Sequence, residues 1–172
     1  VAFSVGEEEL SGLDTTNLVG HLAAWNYFQS ADTPANAEWI AAWKARMGEG
    51  RVTNDPMEAH YIGFNMWVNA ATAAGSAEVD AVRTAMYGQE FPNLTGGTAV
   101  MLPNHHLAKP VLIGEITAEG QFDIISQTSE VPGDAWTDFL PESAKLMSDW
   151  KDLGCGMYNT ETETCVQTLS NY

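Results

Sequence analysis

Hydrophobic positions follow two different periods along this chain, first alternating and then helical. Val1–Val5 alternates and is β-prone, which predicts a strand, and the apolar, aromatic run Leu18–Tyr27 predicts a second one. A helix is predicted from Thr33 and Pro34, because threonine is a favoured N-cap and proline fits the first helical position. The apolar residues that follow fall on one face of this helix, which should end at Gly48: Trp39, Ile40, Trp43 and Met47.

Two further helices are predicted after this one. Asp55 can cap the first of them, Pro56 fits its first position, and Glu58 can complete a capping box. Its apolar stripe comprises Tyr61, Phe64, Trp67, Val68 and Ala71. The tryptophans Trp39, Trp43 and Trp67 are predicted to lie in the core. The shorter third helix should begin at Ser76 and carry Val79, Val82 and Met86.

The last third of the chain changes from helix-forming to strand-forming patterns. Thr98–Leu102 predicts a strand, and Pro110–Thr117 with Gln121–Gln127 predicts a β-hairpin. Ser143–Trp150 predicts a short helix. Strands therefore enclose three helices, which fits either one compact α/β domain or a chain that leaves one lobe, builds part of another and returns.

Acidic residues dominate the charge of the chain. Asp and Glu number 23 against 7 Lys and Arg, for a net charge of −16. Such a surface argues against binding nucleic acid or an anionic membrane, because both need basic residues. No apolar run is long enough to span a bilayer. Val1–Val5 lacks the basic flank of a signal peptide, and the initial Val suggests a processed or truncated start.

Two cysteines lie ten residues apart in a tail rich in Gly, Asn and Thr. Cys155 and Cys165 have the even count and close spacing of a small disulfide loop, which would place the protein in an oxidising compartment. The alternative is two free thiols in a cytosolic protein.

No residue pattern in the chain predicts an active site or a cofactor. The pair His105–His106 lacks the further ligands that a metal ion needs, so no metal site is expected. The carboxylates of Glu7–Glu9 are too differently oriented to act as a catalytic pair, and they suit a solvated helix start or one residue pointing into a cleft. The protein is therefore expected not to be an enzyme.

Several residues suit a small polar ligand instead. The aromatic residues Trp25 and Tyr27 suit the wall of a pocket, although core or hinge packing also explains them. A neutral ligand such as urea offers N–H donors and one carbonyl, so it needs acceptors such as Glu7, Glu58 and Tyr27. His60 lies near the same helix start as Glu58. For Glu58, capping this helix is the alternative to binding a ligand.

Three segments carry a resemblance to a known family. Asn54–Phe64 (NDPMEAHYIGF), the run 92–106 (PNLTGGTAVMLPNHH) and the tail from Cys155 to Cys165 resemble the C-terminal half of periplasmic urea and short-amide receptors. These are substrate-binding proteins of ABC importers, in the superfamily of branched-chain amino-acid receptors. The resemblance implies an α/β fold of the type I periplasmic-binding-protein class, with two Rossmann-like lobes joined by a hinge and only the C-terminal half present.

The resemblance also implies an organisation and a function. Residues 1–26 would belong to lobe 2, 27–95 to a mostly helical part of lobe 1, and 96–172 to the return to lobe 2 with the cysteine tail. The periplasmic protein would bind urea or a short amide between its lobes, without a cofactor, and deliver it to an ABC permease. Glu7 matches by position the glutamate that holds the ligand ammonium in branched-chain amino-acid receptors.

The partner implied for this half-receptor is the missing N-terminal half or an exchanged chain. Two alternatives remain: a cytosolic amide sensor of the same fold, which free thiols would favour, and a hydrolase of urea or amides, which ammonia release would reveal.

Overall fold

The computed structural model describes residues 1–133, 146–150, 155–159 and 161–168. The chain divides into two compact units, Val1–Gly133 and Asp134–Tyr172. In chain order, the elements of the first unit are α1 (Glu7–Ser11), a 3-10 turn (Thr15–Asn17), β1 (Leu22–Trp25), α2 (Pro34–Met47), α3 (Asp55–Ala74), α4 (Val79–Met86), β2 (Glu90–Pro92), β3 (Thr98–Met101), β4 (Leu107–Ala108), β5 (Leu112–Ile116) and β6 (Phe122–Gln127).

The first sheet is antiparallel and has the strand order β1-β5-β6. The predicted hairpin is confirmed as β5 and β6. The strand predicted at Val1–Val5 is wrong: only Ala2 bridges the sheet, through hydrogen bonds with Leu22 and Ala24. Buried apolar side chains from α1, from all three strands and from the segment after β1 form the core of this layer: Leu10, Ala23, Phe28, Leu112, Ile116 and Phe122.

A second layer combines the helices with the small sheet β2-β3-β4. Its core consists of Ile62 and Met66 of α3 with Ala99 and Met101 of β3. The buried residues of α3 recur every four positions, at Glu58, Ile62, Met66 and Ala70. The predicted apolar stripe of this helix is therefore on the wrong side, because a helix with two apolar sides does not reveal which one is packed.

Several tryptophans predicted to lie in the core are exposed or half-buried. Trp67 is 43% exposed, beside Phe64 at 58%, whereas Trp39 and Trp43 are half-buried. The prediction of a tryptophan core is therefore wrong for Trp67 and only partly met for the other two.

Two of the three predicted helix starts also need correction. The start of α2 is confirmed, with the Thr33 hydroxyl accepting the Asn36 N–H at 3.1 Å. In α3 the N-cap is Asn54, whose Oδ1 accepts the Met57 N–H at 3.3 Å, and Asp55 is the first helical residue. The third helix begins at Val79 with Glu78 as its N-cap, two residues later than a cap at Ser76 would place it.

The chain returns to the first sheet only after β4. Strand β3 pairs with β2, and β4 pairs with β3, so both remain in the helical layer. The chain re-enters the first sheet at Leu112. The lobe boundary predicted at residue 96 stays a prediction.

The second unit contains the antiparallel sheet β7-β8-β9, formed by Leu146–Trp150, Cys155–Asn159 and Thr164–Thr168. The disulfide between Cys155 and Cys165 joins β8 to β9, with an S–S distance of 2.06 Å, so the predicted loop is confirmed. The helix predicted at Ser143–Trp150 is wrong over residues 146–150, and its first three residues lie outside the described part of the chain. No helix among the described residues is long and apolar enough to cross a membrane.

Packing of the first sheet should be sensitive at Gly114. A Cβ at this position would lie 2.8 Å from a ring carbon of Phe28, so Gly114→Ala should cost about 1–3 kcal/mol of stability through overpacking. At Gly63 in α3 a Cβ meets nothing within 4 Å, so Gly63→Ala should stabilise the protein by about 0.5–1 kcal/mol through helix propensity. Thermal unfolding of both variants measures the two changes in stability. Equal changes for the two substitutions would contradict this packing.

Candidate functional site

Glu7 is the inward-facing member of the acidic run at the start of α1. It is fully buried, and its Oε1 accepts the Gln29 N–H at 2.5 Å. Its Oε2 has no hydrogen-bond partner among the described residues. The other two glutamates face outward: Glu9 accepts the Gly6 N–H at 2.8 Å, and Glu8 pairs with Arg51 at 3.1 Å. A single helical turn thus separates one buried carboxyl group from two solvated ones.

Burial controls the ionisation of Glu7. Removal from water raises the pKa of its carboxyl group from 4.5 to about 7, and this effect outweighs the opposing hydrogen bond from Gln29. The nearby carboxyl groups of Asp55 and Glu9 raise the pKa further. Glu7 is therefore close to half-protonated near neutral pH.

Asp55 connects α3 to the segment that follows β1. Its Oδ2 accepts the Asn26 N–H at 2.8 Å, and the Asn26 side chain in turn donates to the Pro110 carbonyl at 2.7 Å. Burial raises the pKa of Asp55, opposed mainly by the charge of Lys109. Asp55 and Asn26 thereby join the two crossing segments, which are residues 26–29 after β1 and 109–111 before β5.

Glu58 forms a buried ion pair with Lys109. The Lys109 side chain is 7% exposed and donates to Glu58 Oε2, whose side chain is fully buried. The capping role predicted for Glu58 is therefore wrong. Burial raises the pKa of Glu58, although Lys109 opposes this. The backbone N–H of Leu94 also lowers the pKa of Glu58. Glu58 Oε1 has no hydrogen-bond partner among the described residues.

Tyr27 anchors the crossing segment through its hydroxyl group. The hydroxyl lies 2.8 Å from both Asn36 Oδ1, to which it donates, and Thr53 Oγ1. Gln29 completes the link, because its Oε1 accepts the Thr53 N–H at 2.7 Å. Burial raises the pKa of Tyr27, so the phenol remains neutral.

Three of the five predicted ligand-binding residues meet in this region, which we call the buried polar cluster. It comprises Glu7, Tyr27, Asp55, Glu58 and Lys109, so three buried carboxyl groups share the region with one ammonium group, which pairs with Glu58. The sequence interpretation missed Asp55 as a site residue and missed Lys109 altogether. The signal for Lys109 was present, because a single lysine stands among apolar residues in 107–113 (LAKPVLI).

The other two predicted residues lie apart from the cluster. The half-buried Trp25 donates its indole N–H to the Val5 carbonyl at 2.8 Å, which fixes the N-terminal segment to β1. His60 is exposed, and it lines an apolar groove of about 700 Å³ between α2 and α3. The rest of this lining consists of Trp39, Trp43, Pro56, Met57, Tyr61 and Phe64.

Metal-binding geometry is not found in the described part of the chain: no three His, Cys, Asp or Glu residues there are grouped to hold an ion. The exposed His105 ring instead contacts the Tyr87 hydroxyl at 3.1 Å.

The buried polar cluster offers carboxylate and hydroxyl acceptors with one cationic donor, which suits hydrogen bonding to a ligand rich in N–H groups.

Comparison with known proteins gives a family and several solved structures. The model of a family described as periplasmic binding protein domain matches residues 1–142. A curated relative, the limonene hydroxylase of Geobacillus stearothermophilus, is 31% identical over 134 residues, which cover 77% of this chain and 24% of that protein.

The similar solved structures are solute-binding proteins. One from Rhodopseudomonas palustris in complex with benzoate has a TM-score of 0.64 at 12% identity, covering 73% of this chain and 35% of that one. An amino-acid ABC transporter substrate-binding protein from Pseudomonas fluorescens has a TM-score of 0.57 at 23% identity, covering 74% and 35%. A periplasmic binding protein from Burkholderia mallei has a TM-score of 0.61 at 14% identity, covering 93% and 37%. This chain spans about a third of each.

Stability should fall as the pH rises between about 4.5 and 7, because folded Glu7 binds its proton more tightly than the unfolded chain does. The raised pKa values of Asp55 and Glu58 act in the same direction. Glu7→Gln, which can still accept the Gln29 N–H, should flatten the dependence and be more stable than the parent at pH 8. Thermal unfolding across this pH range is the measurement. Glu8→Gln removes the same formal charge from a more exposed site, so an equal effect there would contradict a role for burial.

Removing Lys109 alone should destabilise the protein more than replacing both members of the ion pair. Lys109→Met leaves Glu58 buried without its cation and should cost about 3–5 kcal/mol. The loss should be smaller at pH 5 than at pH 8, because protonation of Glu58 relieves it. The double variant with Glu58→Gln should recover much of the stability in thermal unfolding. A double variant no more stable than Lys109→Met would show that the lysine acts through packing alone.

Proposed function

Because the chain belongs to the family of periplasmic binding protein domains, we propose that it forms part of the solute receptor of an ABC importer and binds urea or a short-chain amide. The predicted type I periplasmic-binding-protein fold is confirmed by the family match and the solved relatives. The chain corresponds in this proposal to the C-terminal half of such a receptor. It delivers its ligand to an ABC permease.

The buried polar cluster is the observation that supports this ligand class. Glu7 Oε2 and Glu58 Oε1 are acceptors without hydrogen bonds among the described residues, and buried acceptors are seldom left unpaired. Urea and primary amides present N–H donors to such oxygens. Three carboxyl groups against one ammonium disfavour a ligand that carries its own carboxylate.

The position of the buried polar cluster gives the ligand a way to enter and leave the site. Its carboxyl groups bind the first crossing segment at Asn26 and Gln29, and Glu58 binds the second at Lys109. Asn26 in turn donates to the Pro110 carbonyl and links the two segments. Movement of these segments would expose the acceptors to solvent, and closure would bury them around the ligand. Ligand binding then shifts the protein towards its closed state without any covalent step, so no enzymatic activity is proposed.

A periplasmic location agrees with the disulfide in the second unit. The Cys155–Cys165 bond needs an oxidising compartment to persist. The alternative of a cytosolic amide sensor is less favoured for the same reason.

Calorimetric titration of urea, acetamide and leucine into the natively purified protein tests the ligand class. Urea or acetamide should give saturable heat, and leucine should give none, because the only cation that its carboxylate could bind in the cluster, Lys109, is already paired with Glu58. An intact-mass spectrum of the same sample records whether a second polypeptide accompanies the chain.

The control variants locate the binding. Glu7→Gln should weaken urea binding, whereas Glu8→Gln should leave it unchanged because this carboxylate faces Arg51 at the surface. Preferential leucine binding would contradict the proposal, as would ammonia release from urea. Absence of heat from all three compounds in a sample shown to hold a complete receptor would contradict it as well.

A further inference from the structure

A polar cavity of about 320 Å³ lies beside the second crossing segment. Its walls are the turn 93–98 between β2 and β3, Pro110, and residues 127–130 after β6. Because β5 lies between β1 and β6 in the first sheet, residues 127–130 are on the side of β5 away from the first crossing segment. The volume is within the range of cavities that bind small molecules, about 300–1,000 Å³.

Two buried side chains of the turn have unused hydrogen-bonding capacity. Asn93 is 3% exposed and Thr95 is 6% exposed, and both line the cavity. Asn93 Nδ2 and Thr95 Oγ1 have no hydrogen-bond partner among the described residues. Asn93 Oδ1 accepts the Thr95 N–H at 3.5 Å, so the N–H end of the amide is the one left to bind. Buried polar atoms are seldom left unpaired, so these two indicate that a ligand belongs here.

The two unpaired atoms do not result from a loosely held turn. The Asn93 N–H donates to the Gly97 carbonyl at 3.0 Å, and the Thr33 hydroxyl at the start of α2 donates to the Leu94 carbonyl at 2.6 Å. On the opposite wall, the Thr128 hydroxyl accepts a backbone N–H of the second crossing segment at 2.9 Å. Both walls are therefore anchored to the framework of the protein.

The lining suits an uncharged ligand with several hydroxyl groups. Glu130 lines the cavity and the net charge is −16, which disfavours an anion, and the N–H end of the Asn93 amide disfavours a cation. A hydroxyl group both donates and accepts, so one ligand hydroxyl can bind Asn93 Nδ2 and Thr95 Oγ1 together. Further hydroxyls can reach the amide and hydroxyl groups of residues 127–129. A single water is too small to fill this space, because its share of liquid volume is about 30 Å³.

We propose that this cavity is a second binding site, for a small uncharged polyol, distinct from the site for urea or a short amide. The two unpaired atoms are shielded from solvent, so the polyol reaches them by displacing the tip of the turn, where Gly96 and Gly97 are exposed. Once bound, it links the turn to residues 127–130 and stabilises the folded protein by mass action. The site does not depend on the proposed function, because its lining contains none of the buried polar cluster.

Titration of polyols into the isotope-labelled full chain, followed by NMR, tests the second site. Glycerol, erythritol, sorbitol and myo-inositol are the probes, and the side-chain amide signal of Asn93, assigned with Asn93→Asp, is the readout. At least one polyol should shift this signal saturably. The signal of Asn65, whose amide donates to the Tyr61 carbonyl within α3, should not move. Thr95→Val should weaken the polyol affinity about threefold to tenfold through the loss of one hydrogen bond.

The Thr95→Val variant also distinguishes an unpaired hydroxyl from a hydrated one. Without polyol, it should keep or raise the melting temperature, because the hydroxyl that it removes is buried without a partner among the described residues. The control variant Thr72→Val removes an exposed hydroxyl that donates to the Val68 carbonyl in α3, and it should leave the polyol affinity unchanged. A lower melting temperature for Thr95→Val, with no polyol binding by the parent, would show that ordered water fills the cavity and would overturn the proposal.

Three further results would refute the second site. Equal shifts at Asn93 and Asn65 would show a general solvent effect of the polyols. Displacement of the polyol by urea, together with its loss in Glu7→Gln, would place it in the buried polar cluster. The third is the absence of a saturable shift with every probe. Urea binding without polyol binding would refute only the second site, and polyol binding without urea binding would refute only the proposed ligand class.

Discussion

Burial of three carboxyl groups with a single ammonium group is the constraint around which this structure is organised. Glu7, Asp55 and Glu58 come from two helices, and each of them binds a segment that crosses between the two layers. Removing charged groups from water is expensive, and hydrogen bonds and ion pairs offset this cost only when their geometry is good. The cluster therefore stabilises one arrangement of the crossing segments and disfavours small displacements from it.

The same constraint makes the crossing region suitable for a two-state movement. Its links are a few directed hydrogen bonds, including Asn26 to Pro110 at 2.7 Å, and they lie beside apolar cores that belong to each layer separately. Breaking the links exposes acceptors, and it also moves Phe28, which belongs both to the crossing segment and to the core of the first sheet. A ligand that replaces the missing hydrogen bonds of Glu7 and Glu58 supplies the differential affinity that a population shift needs.

Helix α3 shows why a correct helix assignment does not establish what the helix packs against. Its sequence carries two apolar stripes, Ile62–Met66–Ala70 and Tyr61–Phe64–Trp67, whose mean directions around the helix axis differ by nearly half a turn, about 160°. The larger aromatic residues made the second stripe the natural choice for the core. The structure buries the smaller residues instead, because the short strand β3 presents Ala99 and Met101 at close range.

The sequence by itself determined the local features of this protein, which depend on neighbours along the chain. The cap at Thr33, the hairpin of β5 and β6, the disulfide and the fold class all followed from short-range chemistry or from family motifs. Tertiary structure alone decided which side of α3 is buried and which member of the Glu7–Glu9 run turns inward. It also decided that Glu58 pairs with Lys109 instead of capping its helix. These outcomes depend on contacts with residues 22 to 51 positions away in the sequence. Because burying an unpaired charge is costly, each buried carboxyl group binds the partner that the fold brings within reach.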